Sequence, residues 1–199
     1  TIDGKAHNHL AAFDSATGAL ASSFTASVAS NVRAIAATNS AVYVGGSFNA
    51  AGGQPRSNLA AFSRAGALTS WAPTADLPVL AMLMTPDQSR VIAGGHFLTL
   101  NGVYASGSGS LDATTGAVRP WAANVMTHAG GPQQGIDALS TDGKQIYMAG
   151  YTWAGDGFQS RLAADPMTGN IIWVDWCGGD NYSNVPVGKV LYSLSHDHT

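Results

Sequence analysis

Aromatic rings and carboxylates gather in one stretch of this sequence: Tyr151, Trp153, Asp156 and Phe158, then Asp175, Trp176, Asp180, Asn181 and Tyr182. That combination suits a sugar. The apolar C–H face of a pyranose stacks on a flat ring while its hydroxyls bond to carboxylates and amides. Tyr151, Trp153, Asp156, Asp175, Trp176, Asp180 and Tyr182 therefore form the candidate ligand-binding set. The acids allow a second chemistry. Two carboxyl groups about 5 to 9.5 Å apart can cleave a glycosidic bond between them, which makes Asp156, Asp175 and Asp180 the candidates in an alternative reading as a polysaccharide hydrolase or lyase. The structural alternative to both is that these rings fill the centre of the fold or cover apolar surface.

Histidines come in pairs, His7 with His9 and His196 with His198. On an extended strand each pair points to one face and could approach a metal. No cysteine or glutamate stands at ligand spacing beside them, and Asp156, Asp175 and Asp180 match no calcium-loop spacing, so no metal site is assigned. His196 joins the ligand-binding candidates as a strand-end residue, close to the position that His96 holds in an earlier repeat. Motifs for nucleophilic serine, phosphate-binding glycine loops and His-Glu-x-x-His zinc sites are absent. No catalytic residue and no cofactor is expected. Cys177, the single cysteine, fits an exported protein that pairs it with a cysteine outside this sequence.

The elements that position these residues are written as a repeat. VYVGGSF at 42–48 returns as VIAGGHF at 91–97, forty-nine residues on, with weaker copies at 146–150 and 190–193. A second run follows each time, at 10–14 (LAAFD), 59–63 (LAAFS), 108–112 (SGSLD) and 162–165 (LAAD). It ends in a turn written Asp-x-x-Thr-Gly at Asp14, Asp112 and Asp165, whose carboxylate can accept backbone N–H groups while the glycine takes positive φ. Short apolar runs flank the pair, before it at 32–36, 79–83, 136–139 and 182–185, and after it at 19–24, 67–71, 117–121 and 170–173.

Four strands per unit of about fifty residues, too short for helices and bounded by Gly, Pro, Asn or Asp, are the unit of an all-β propeller of antiparallel four-stranded blades. The expected division is a half blade at 1–31, blades at 32–78, 79–135 and 136–181, and a half blade at 182–199. These halves either complete one another in a four-bladed ring or belong to a longer protein. The lone Cys177 and the stop at Thr199 favour a four-repeat segment of a larger propeller, whose remaining blades or domains lie elsewhere in the chain.

The motifs YVGGSF, AGGQPRSNLAAF, LDATTGAV followed by Pro120-Trp121, and the terminal SHDH resemble a group of secreted β-propeller repeat proteins of actinobacteria, in which PKD, fibronectin-like or lectin-like modules often follow. That resemblance implies export and a longer protein. The long segments 122–135 and 151–161 depart from its pattern.

Composition limits the partners. Charged residues make up 11% of the 199, against about 25% in typical soluble domains, and the nine Lys and Arg do not cluster. A nucleic acid needs a basic surface that is missing here. No apolar stretch is long enough to span a bilayer, so membrane insertion is not expected. Residues that the repeat demands, including Trp71, Trp121 and Trp173 at the ends of the fourth strands, are expected to pack between blades. Recognition is expected on the face carrying the long connections. The expected protein is thus a non-enzymatic extracellular or cell-envelope module whose partner is a glycan or an envelope protein.

Overall fold

The computed structural model describes residues 2, 4, 7–127, 131–153, 157–176 and 179–197. Among these the regular secondary structure is almost wholly strand. The first sheet holds β1 (Asn31–Ala37), β2 (Ala41–Ser47) and β5 (Leu59–Ser63), with the small hairpin of β3 (Ala50–Ala51) and β4 (Gln54–Pro55) inserted between the last two. A single bridge from Phe62 to Leu68 marks its fourth position. The second comprises β6 (Val79–Met84), β7 (Arg90–Gly95), the hairpin β8 (Thr99–Leu100) and β9 (Val103–Tyr104), then β10 (Ser108–Asp112) and β11 (Val118–Arg119). After a one-turn helix, α1 (Asn124–Thr127), the third runs through β12 (Gln134–Thr141), β13 (Ile146–Thr152), β14 (Arg161–Ala164) and β15 (Ile171–Asp175). A hairpin of β16 (Gly179–Val187) and β17 (Val190–Asp197) closes the series.

Within each sheet every strand pairs antiparallel with its predecessor. First strands lie side by side: β1 beside β6, β6 beside β12, β12 beside β16. The second and third sheets, whose first strands have such a neighbour on each side, are therefore covered on both faces. In β2, Tyr43 faces the core shared with the second sheet while Val44 faces the core shared with Phe24 and Phe48. Alternate side chains of a strand point to opposite faces. Two-sided burial explains why these strands read as continuous apolar runs instead of alternating with polar residues.

The glycine pair in the second strand serves two contacts. A Cβ on Gly94 would stand 2.7 Å from Ile136 Cγ2 in the next sheet, and one on Gly45 would stand 2.6 Å from Val79 Cγ1. Their neighbours face inward. A Cβ on Gly95 would strike the Pro78 carbonyl oxygen and lie 2.9 Å from Val79 Cα, within its own sheet, and Gly46 meets the Asn31 carbonyl in the same way. One glycine of each pair thus makes room for the adjacent sheet and the other for the neighbouring strand of its own sheet.

The Asp-x-x-Thr-Gly turns repeat atom for atom. Asp112 Oδ1 accepts the N–H groups of Thr114 (3.0 Å) and Thr115 (2.7 Å) and the Thr115 hydroxyl (2.9 Å). Asp14 and Asp165 do the same for their own turns. Gly18, Gly116 and Gly169 take φ of 71°, 74° and 71°. Tryptophans at two of the three fourth-strand ends pack as expected: Trp71 stacks edge-on to Tyr43 at 5.1 Å and donates its indole N–H to the Asp112 carbonyl of the following sheet (2.9 Å), and Trp121 donates to Ser108 Oγ. Trp173 differs. It leans on Tyr147 at 6.1 Å but stays 36% exposed.

The long connections are less free than their length implies. At the tips of their hairpins, Gly52 donates to the Ser27 carbonyl and Asn101 to the Thr74 carbonyl, and Ala51 and Leu100 bridge Val28 and Ala75. The 49–58 and 98–107 loops therefore clasp the chain that enters each sheet. Asn101 also donates to the Gly116 carbonyl in the turn after β10 (3.0 Å), so long connections and tight turns are not confined to opposite ends. At 10–24 the chain forms only the bridge of Phe13 with Leu20 around the 14–18 turn, and among the described residues no ladder joins it to β17.

Candidate functional site

Each first strand carries a bulge at the same place, and the bulge sets the site. Register slips between Val32 and Ala34, Val79 and Ala81, Ile136 and Ala138, and Asn181 and Ser183. The extra residues are Arg33, Leu80, Asp137 and Tyr182. A bulge residue is unpaired in the ladder and its side chain is re-aimed. Because the first strands are neighbours, one bulge from each of four repeats lands in a single row.

Charge accumulates along that row. Burial lifts the Asp137 carboxyl to about 6, with the Arg33 charge opposing the rise and the buried Asp180 adding to it. His96, at the end of β7, lies against Leu80 and Gly135. Its imidazole is held below the ordinary value, by burial first and by Arg33 second, and is neutral at pH 7. It shares a 2.6 Å hydrogen bond with the Tyr151 hydroxyl. Burial, and after it the Asp137 charge, keeps that phenol above its usual range. Asp180 accepts from the Thr152 backbone N–H (3.2 Å) and the Tyr182 hydroxyl (3.3 Å).

Tyr151 and Tyr182 reach outward from this polar cluster into a recess of about 330 Å³ that they line with Trp153, Pro132 and Gln133. Trp153 is exposed there, its backbone N–H bonded to the Gln133 carbonyl (2.9 Å). Its walls are aromatic, and behind them the Tyr151 and Tyr182 hydroxyls are bonded to His96 and Asp180. Such a recess can stack a flat apolar face and hydrogen-bond the polar edge of the same ligand.

The fold draws together some of the sequence-derived candidates and separates others. Tyr151, Trp153, Asp180 and Tyr182 converge, and His196 stands opposite Asp180 in the β16–β17 register. Asp175 does not join them. It sits on the outermost strand of its sheet, where Arg161 holds it in an ion pair (2.6 Å), a structural link between β14 and β15. Trp176 is exposed beside Phe158 at 6.0 Å, away from the lining of the recess. Asp156, like Cys177 and His198, lies outside the described residues. Among the described residues no three His, Cys, Asp or Glu side chains come together as metal ligands, and no helix is long and apolar enough to cross a membrane.

Arg33, Asp137 and the site role of His96 went unread in the sequence. A signal existed: Val32-Arg33-Ala34-Ile35 and Ile136-Asp137-Ala138-Leu139 each place one charge inside an apolar run at the same repeat position.

Comparison with known proteins bears on the fold alone. No family model matches the chain, and no curated protein does. Among solved structures, BamB from Moraxella catarrhalis superposes with a TM-score of 0.57 at 18% identity, over 89% of this chain and 47% of BamB. The computationally designed Ika4 protein does so with a TM-score of 0.56 at 15% identity, over 85% of this chain and 88% of that one. The fold is propeller-like. This chain spans about half the length of BamB, and identities this low carry no activity across.

Asp137 supplies a pH test of the row. Its folded pKa exceeds the ordinary 3.8, so the folded chain holds more protons than the unfolded one between about 4 and 6, and stability falls as pH rises through that window. Asp137→Asn should melt with wild type near pH 4 and above it at pH 7.5. For a half-buried group screened by solvent the gain is about 1 kcal/mol, or roughly 2–4 °C. Equal melting curves at both pH values would show that the carboxyl is not buried in this way.

Proposed function

We propose that this chain is an arc of four-stranded blades from a larger propeller that serves, outside the cell or on its envelope, as a non-enzymatic binding module for a glycan or an envelope protein. The observation that carries the reading is the recess, where Tyr151, Trp153 and Tyr182 surround about 330 Å³ beside the buried Asp180. Export accords with the sparse charge and with the resemblance of the repeats to secreted proteins. Glycan-array screening followed by calorimetry tests it. Trp153→Ala should weaken a bound sugar roughly five- to twelvefold, since one lost stacking contact removes about 1–1.5 kcal/mol, while leaving the melting temperature unchanged because the ring is exposed. Absence of binding across the array would retire the glycan.

A polysaccharide hydrolase or lyase is the second reading, favoured by one observation. Asp137, held protonated to about pH 6 next to Asp180, offers an acid beside a second carboxyl group, the pairing such enzymes need. Release of reducing ends from a polysaccharide, lost in Asp137→Asn, would replace the binding module with an enzyme.

A further inference from the structure

On the outer rim of the second sheet a hollow of about 350 Å³ opens between the β8–β9 hairpin and the outermost strand, β11, walled by Val103, Tyr104, Val118, Pro120 and Trp121. The first sheet has the same parts in the same order, but there an arginine lies between them. Arg56 and Ala105 are equivalent: each follows a short hairpin, and their backbone N–H groups donate to the carbonyls of Asn49 (3.0 Å) and Leu98 (2.9 Å). Thr69 and Arg119 are equivalent too, each next to a matched pair, Phe62 with Leu68 and Leu111 with Val118. The Arg56 guanidinium donates to the Pro55 carbonyl at the hairpin (2.8 Å) and to the Thr69 carbonyl on the fourth-strand run (3.1 Å). It thus spans the gap that the second sheet leaves open.

Ala105 ends at a methyl group, so in the second sheet the place of the stem and its planar head is empty while the acceptors remain. The carbonyls of Tyr104 and Arg119 are the counterparts of those that Arg56 uses, and a carbonyl has two lone pairs, so one engaged in a ladder can still accept. The second sheet adds a third acceptor. Ser110, part of the wall, stands where the first sheet has Ala61, and its hydroxyl is buried with no hydrogen-bond partner among the described residues. Such a group is costly to leave unpaired. Arg119 brings no uncompensated charge, because Asp112 holds its guanidinium at 2.5 Å. Carbonyl and hydroxyl acceptors beside aromatic walls suit a planar, weakly hydrated guanidinium. An ammonium is a strongly hydrated point charge and would want a carboxylate.

We propose that this hollow receives the arginine side chain of a partner protein, seated as Arg56 is seated in the first sheet. Its guanidinium bonds to the Tyr104 and Arg119 carbonyls and to the Ser110 hydroxyl, and stacks on the aromatic wall. A protein is the source because Val103 and Tyr104, both more than half exposed, flank the site and offer apolar contact to the residues beside the arginine, which the free amino acid lacks. The site stands apart from the recess at Tyr151 and from the number of blades, since it lies on a sheet that has a neighbour on each side.

Titrating the isotope-labelled chain with the end-capped peptide Ala-Arg-Ala, followed by amide and indole chemical shifts, tests the site. The signals of Tyr104, Ala105, Ser110 and the Trp121 indole should move and saturate, and capped Ala-Lys-Ala should bind at least roughly fivefold more weakly. No saturable shifts, or equal affinity for the two peptides, would overturn the proposal. Free arginine binding as tightly as the peptide would overturn the partner protein in favour of a small molecule. Two variants probe the equivalence of the sheets. Ala105→Arg supplies its own occupant and should abolish the shifts; a chain that stays folded by circular dichroism and still binds would sink the idea. Because Ala105 is buried and its replacement can disturb folding, Arg56→Ala provides a test that does not depend on it. Emptying the first sheet's slot should give Ala-Arg-Ala a second set of shifts, at Ala61 and Thr69. A folded Arg56→Ala chain that gains none would show that the slot is not shaped for an incoming arginine.

Discussion

Valine in place of Gly95 is expected to lower the melting temperature by about 6–12 °C, from an overpacking penalty of about 3 kcal/mol. The reason lies in what stands nearby. A Cβ at this position meets the Pro78 carbonyl oxygen, Val79 Cα and Leu80 N, all main chain, and β6 can retreat only by opening its ladder with β7 at the bulge. Gly94 offers a useful contrast. A Cβ there would stand 2.7 Å from Ile136 Cγ2 and 3.0 Å from its Cβ, across the gap between two sheets, against 2.4 Å from one on Gly95 to the Pro78 carbonyl oxygen within one ladder, so Gly94→Ala should cost less than Gly95→Ala. Thermal melts followed by circular dichroism measure both, and equal losses would mean that the β6 backbone is farther from β7 than described.

Asp112→Ala should destabilise by about 2 kcal/mol, or roughly 4–8 °C, since hydrogen bonds to a charged group are worth about 1.5–3 kcal/mol. The carboxylate accepts from two backbone N–H groups and a hydroxyl, and meets Arg119 at 2.5 Å. The Arg119 bond, with the Thr115 backbone N–H next, holds its pKa below the ordinary 3.8. A depressed carboxyl stabilises the fold above the unfolded pKa, and that support fades as pH falls below about 4. The penalty for Asp112→Ala is thus full at pH 7 and shrinks in acid. A loss independent of pH would assign the effect to side-chain packing instead of the charge. Binding at the recess should be untouched.

How much of this could be read from the residues depends on whether their role is local. Asp112, Thr115 and Gly116 specify a turn through atoms three or four residues apart, so the turn is visible wherever the motif appears. The apolar runs of β2, β7 and β13 are visible for a related reason: burial on both faces leaves no polar residue to interrupt them. Residues 10–14 and 19–24 have the same composition yet form only an isolated bridge, because a strand needs a partner that composition does not supply. Segment 122–133 hid the α1 turn, which four residues are too few to announce. At the site the division is similar. Tyr151, Trp153 and Tyr182 stand out as rings that break the repeat, whereas Arg33 and Asp137 are 104 positions apart and meet only because equivalent bulges of separate sheets fall in one row. Asp175 stands apart for the opposite reason: its sequence neighbours are aromatic, but its ion-pair partner Arg161 is fourteen residues away and on another strand.

That row has an evolutionary corollary. A bulged residue is unpaired in the ladder, so its identity is less tied to strand pairing than that of its neighbours. Arg33, Leu80, Asp137 and Tyr182 already differ in charge, size and polarity on otherwise similar strands. The inner lining can therefore be rewritten one letter per repeat, letting a lineage retune what the molecule accepts without rebuilding the framework that presents it.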